Sequence, residues 1–146
     1  MAECGFYLSL RPDGFDLHMS AGPEHLREMR ERVFKELCAA GVEETVADAA
    51  RLVASELVGN AVRLCGPWAP VVVQVTSSPG EVLVQVHDPE PAVAPRRRHQ
   101  RPDNDRSESG RGLWILDVLA PGWTVHPTAV GKQIRCRLPY QGRNCA

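Results

Sequence analysis

Glu56 and Asn60 stand four residues apart in the run Glu56-Leu57-Val58-Gly59-Asn60-Ala61-Val62-Arg63. On a helix, which turns about 100° per residue, that spacing places both on one face, about 6 Å apart along the axis. A carboxylate and an amide carbonyl are hard oxygen donors that suit a hydrated magnesium ion. The carboxylate can equally act as a base toward a hydroxyl or a water. Both groups can also be satisfied within the protein, by an ion pair or a capping bond, since a polar group in an apolar arc is costly without a partner.

Asp88 ends a Val-rich segment and opens a long stretch without apolar periodicity. A carboxylate there can accept hydrogen bonds from a ligand, or simply begin an Asp-Pro turn. Gly110-Arg111-Gly112 precedes an apolar run. Two glycines let a backbone approach a ligand closely, and a following helix N-terminus offers amide groups and the positive dipole end to an anion such as phosphate. Arg111 adds a charge-assisted donor; the alternative is a tight turn with an exposed Arg. Arg96, Arg97, Arg98, His99 and Arg101 crowd between these sites. They can close over phosphates as a lid, remain a solvated run, or form a nucleic-acid arm, although no aromatic residues interleave them.

The elements that must position these residues follow from the pattern. Phe6 to Leu10 and Phe15 to Met19 flank Arg11-Pro12-Asp13-Gly14 and read as a hairpin. Pro23 starts a helix whose stripe is Leu26, Met29, Val33, Phe34 and Leu37, with Gly41 as its stop. A second helix is expected from Glu43 to Leu64, with an apolar arc of Val46, Ala49, Ala50, Val53, Leu57, Ala61 and Leu64. Asn60 falls inside that arc and Glu56 at its edge. Pro70 to Thr76 and Glu81 to Asp88 alternate as strands with one buried face. A helix from Leu113 to Leu119 and strands at Trp123 to His126 and Gln133 to Leu138 complete the order. The expected class is α+β: a two-layer sandwich with a mixed, mostly antiparallel sheet and helices on one face.

With 146 residues, the chain fits a single domain, 1–146, with a mobile lid at about 89–109. A net charge of -1 gives no global field toward nucleic acid, so direct nucleic-acid binding is not expected. No signal peptide or membrane span is read from the sequence. Five scattered cysteines, without a CxxC pair, argue against a disulfide framework or zinc site and for reduced thiols in the cytoplasm. The five histidines lie in unrelated elements and read as surface or satisfied groups. Trp68, Trp114 and Trp123 each flank an apolar element and read as core or interface.

Taken in order, these segments resemble one family, the GHKL ATPases of gyrase, Hsp90, histidine kinases and MutL. Glu56 to Arg63 is similar to the N-box, Val86-His87-Asp88-Pro89 to the box that holds the adenine carboxylate, Ser109-Gly110-Arg111-Gly112-Leu113 to the Gly-rich box closing the ATP lid, and Gly131-Lys132-Gln133-Ile134-Arg135 to the closing strand. The similarity runs from about Gly22 to Leu138. It is nearest the anti-sigma serine kinase type of RsbW and SpoIIAB.

The resemblance implies the Bergerat ATP-binding fold, with ATP and Mg as cofactors. It implies that Glu56 activates the attacking hydroxyl or a water and that Asn60 binds Mg. Asp88 would take the adenine amino group. Gly110, Arg111, Gly112 and Leu113 would hold phosphates, with Arg63 of the N-box counted in the nucleotide set. The implied activity is an ATP-dependent protein serine/threonine kinase acting on a STAS-domain anti-anti-sigma factor. The implied second partner is a sigma factor, held inactive by a homodimer. Three positions depart from the pattern: Asp88-Pro89-Glu90-Pro91 lacks the usual glycines, Leu64 stands where a His is frequent, and Gln133 stands for a Thr that supports adenine recognition. Such departures resemble divergent actinobacterial copies. They keep open a second reading, a module of the same fold that works by protein–protein interaction without ATP turnover.

Overall fold

The computed structural model describes residues 5–90 and 108–140, and for residues 108–113 the backbone course alone. The strands are β1 (Phe6–Arg11), β2 (Gly14–Ser20), β3 (Pro70–Ser78), β4 (Glu81–Asp88), β5 (Thr124–Thr128) and β6 (Gly131–Pro139); the helices are α1 (Pro23–Ala39), α2 (Glu44–Cys65) and α3 (Glu108–Leu119). The strands form one sheet in the order β1-β2-β3-β4-β6-β5. Every neighbouring pair is antiparallel, so the sheet is more uniform than the mixed one expected. The α+β class itself holds.

Alternation decides which face of the sheet is covered. Leu17, Val73, Val75, Val82, Val84, Val86, Ile134 and Cys136 are fully buried. Successive residues on a strand point to opposite faces, so the intervening Gln74, Gln85, Gln133 and Arg135 line the other side. There Gln133 donates to Gln74 and accepts from both Gln85 and Arg135. This hydrogen-bonded polar surface leaves only one face to be covered by the helices.

On α1, Met29, Val33 and Leu37 are buried; on α2, Ala47, Ala50, Val53, Ala54, Leu57, Val58, Asn60 and Ala61 are buried. The small alanines let α2 lie close to α1 and over β4. The buried arc of α2 is rotated toward Ala47, Ala54 and Val58 relative to the arc expected from sequence. Residue Gly66, at φ +100°, ends the helix in a conformation that only Gly adopts without strain.

One expectation changes. Helix α3 begins at Glu108, five residues earlier than Leu113. Trp68 and Trp114 are 63% and 51% exposed, whereas Trp123 is buried and donates its indole N–H to Asp117 at 2.7 Å. At the sheet edges, β5 carries Pro127, and β1 exposes Tyr7 and Leu10.

The core also fixes the state of one thiol. Burial pushes the Cys136 thiol up to about 12, from an ordinary value of 9.0. The folded state holds the proton more tightly than the unfolded chain, so Cys136 favours folding below about pH 9, and this contribution is lost as pH rises toward 12. Alkylation of the native protein at pH 8 is expected to spare Cys136 and to label it fully in denaturant, as peptide mass spectrometry would record. Rapid native labelling would show that the β4–β6 core opens.

Candidate functional site

Helix α2 supplies the first half of the site. Asn60 is 6% exposed and lies on the face turned to the sheet. Its amide nitrogen Nδ2 is buried without a hydrogen-bond partner among the described residues. An unsatisfied buried donor of this kind costs about 1–3 kcal/mol, and native proteins seldom tolerate one without a purpose. Glu56 sits one turn earlier at the half-buried edge of the same face. No ion pair from a described residue holds it. Arg63 is exposed in the last turn, where its charge suits the helix dipole.

The second half comes from β4 and β6. Asp88 shares the parity of Val82, Val84 and Val86, so its carboxylate turns inward, toward α2. It is 1% exposed. Directly across the strand pair stands Lys132, also 1% exposed. Lys132 Nζ donates to Asp88 Oδ1 at 2.9 Å and to Oδ2 at 3.0 Å. The backbone N–H of Glu90 donates to Oδ1 at 2.9 Å. The strands meet closely here: a Cβ on Gly131 would lie 1.9 Å from the Asp88 carbonyl oxygen.

Cys65 links the two halves. Its thiol is raised first by desolvation, then by the negative charge of Asp88, and is lowered by Lys132. Helix α2 packs on both β4 and β6, and its last turn lies within electrostatic reach of the ion pair. Asn60 is five residues back, about 7–8 Å along the axis. The interlayer space thus has an unpartnered amide at one point and a charged pair at another.

The structure brings Glu56, Asn60 and Asp88 to the same side of the sheet. It alters the Gly-rich segment: Gly110, Arg111, Gly112 and Leu113 lie inside α3, not in a loop before it. The amides left free by an α-helix are those of its first four residues, which include Gly110 and Arg111. Helix α3 packs on α2, so this helix start belongs to the same layer. The stretch from Arg96 to Arg101 and residues 91–107 of the expected lid lie outside the described residues.

Gln133 is a correction. It faces the polar side of the sheet, away from Asp88, and cannot support recognition of a base held by that carboxylate. Lys132 occupies that place, and the sequence reading missed it. The signal was available, since Lys132 alternates in phase with Ile134, Cys136 and Leu138.

A cavity of about 590 Å³ opens at the same end of the sheet, lined by Tyr7, His18, Val72, His87, Asp88 and Pro89 among others. It takes no residue from α2, and Asp88 is the site residue it shares. Among the described residues, no three His, Cys, Asp or Glu side chains gather as a metal cluster. Magnesium would not need one, because it commonly keeps several waters and takes few protein ligands beside phosphate oxygens. The unpartnered Asn60 amide fits such a role, since a half-turn of the amide exchanges Nδ2 for the oxygen Oδ1. Among the described residues, no helix is long and apolar enough to cross a membrane.

Asn60→Leu is expected to stabilise the protein by about 1–3 kcal/mol, because it removes a buried donor without a partner. Urea unfolding measures this. A loss of stability instead would show that the amide is satisfied in solution.

Residues 19–138 match the family model for the histidine kinase-like ATPase domain. An uncharacterized protein of Streptomyces coelicolor is 39% identical over 72 residues, which cover 49% of this chain and 67% of that relative.

Proposed function

We propose a function that starts from kinship: this chain belongs to the family of histidine kinase-like ATPase domains. ATP is accordingly its expected ligand. Our reading is that the chain is a single ATP-binding regulatory domain of the anti-sigma serine kinase type, cytoplasmic, with a lid at about 89–109. Its substrate is a serine or threonine on a STAS-domain anti-anti-sigma factor. Its second partner is a sigma factor, sequestered by a homodimer, and it does not bind nucleic acid directly.

The observation that carries this reading is the buried, unpartnered amide nitrogen of Asn60, one helical turn from Glu56. In this reading Asn60 would hold Mg through its amide oxygen. Glu56 accepts the proton of the attacking hydroxyl. The first turn of α3, with Gly110, Arg111, Gly112 and Leu113, holds phosphate oxygens, and Arg63 at the rim of α2 adds positive charge. When bound, Mg neutralises charge on the triphosphate, so that the protein contributes chiefly position.

The test is phosphate transfer from labelled MgATP to a STAS-domain protein, run beside Glu56→Ala. Transfer by the parent and none by Glu56→Ala supports the reading. Transfer that survives the substitution removes Glu56 from the mechanism.

The buried Asp88–Lys132 pair favours a second reading, a module that keeps the fold and its partners without turnover. Partner binding with no transfer and no ATP requirement would select it.

A further inference from the structure

The geometry points to Lys132 as a specificity-determining residue that competes with the purine amino group for the Asp88 carboxylate. This inference rests on the nucleotide reading above and concerns how that site recognises its base.

A carboxylate offers about four lone-pair sites. Described donors fill three of them: Lys132 Nζ takes one on each oxygen, and the Glu90 N–H takes the second on Oδ1. One site on Oδ2 is left. The Asp88 side chain is 0% exposed and that of Lys132 2% exposed, so the remaining site is sealed. An ammonium group has three donors and no acceptor. A 6-amino group, itself a donor, therefore meets Lys132 as a repulsive neighbour and must displace it to reach Asp88.

Displacement is opposed by the architecture. Lys132 is fixed by β6 register directly opposite Asp88, and Gly131 holds the two backbones in close contact. The Lys132 stem is buried in the same layer as Ile134 and Cys136. The internal ammonium thus takes the hydrogen bonds that would otherwise distinguish adenine from a purine without the amino group. Discrimination at position 6 of the base is lost.

The experiment is calorimetry with MgATP and with the Mg complex of purine riboside triphosphate, which lacks the 6-amino group. Both are titrated into the unsubstituted protein and into Lys132→Thr. The unsubstituted protein is expected to bind the two nucleotides within about twofold of each other. Lys132→Thr is expected to gain about tenfold or more for ATP, and not for the analogue, because a hydrogen bond to a freed carboxylate becomes available. A tenfold preference of the unsubstituted protein for ATP would overturn the inference without any substitution, even if the variant fails to fold. Equal gains for both nucleotides, or no gain, would also overturn it while leaving nucleotide binding intact. Failure of both proteins to bind either nucleotide would instead overturn the nucleotide reading itself, and this inference with it.

Discussion

Lys132→Met is expected to destabilise the protein by about 3–5 kcal/mol, the usual cost of removing one partner from a buried ion pair. The methionine fills similar volume, so the loss is electrostatic and not a cavity effect. Asp88 would keep only the Glu90 N–H among its described donors, with its side chain sealed from water. Urea unfolding at neutral pH measures the change. Combining Lys132→Met with Asp88→Asn is expected to recover most of it, since two neutral groups of similar shape need no charge compensation. A single variant within about 1 kcal/mol of the parent would mean that water reaches the carboxylate in solution.

The second large effect concerns Gly131. A Cβ there would sit 1.9 Å from the Asp88 carbonyl oxygen and 2.7 Å from Pro89 Cα, both backbone atoms that cannot swing aside. The residue also holds φ +154°. Gly131→Ala therefore combines overpacking with backbone strain, at about 2–5 kcal/mol together. It forces β4 and β6 apart at the ion pair. Gly66→Ala is the control: its φ is +100°, but nothing lies within 4 Å of the added methyl, so only the conformational cost of about 1–2 kcal/mol remains. Thermal unfolding of both variants separates the effects. Equal losses would show that the close approach at Gly131 has no energetic weight.

Much of the layer architecture was legible because its signals are periodic. The Val alternation in β3 and β4 and the apolar arc of α2 leave few alternatives, and they placed Glu56, Asn60 and Asp88 on one side of the sheet. The errors arose where residue type was weighed above phase. Lysine chemistry alone names no partner for Lys132, yet the phase of β6 sends it inward to Asp88. Gln133 attracted attention as a replaced residue, while its phase sends it to the polar face. At α3, the glycines of Gly110-Arg111-Gly112 read as a loop, because each lowers helix propensity by about 1 kcal/mol. Packing against α2 outweighs that cost. Of the three Trp residues read as core or interface, Trp123 lies in the core, while Trp68 and Trp114 are more than half exposed, and size alone does not separate the two cases.

The two margins of the sheet differ in what they allow. Strand β5 carries Pro127, which has no backbone N–H to offer and interrupts a regular ladder. Strand β1 contains no proline from Phe6 to Arg11. An incoming strand from another polypeptide would therefore find a continuous set of donors at β1 and a gap at β5, so lateral growth of the sheet has a built-in polarity.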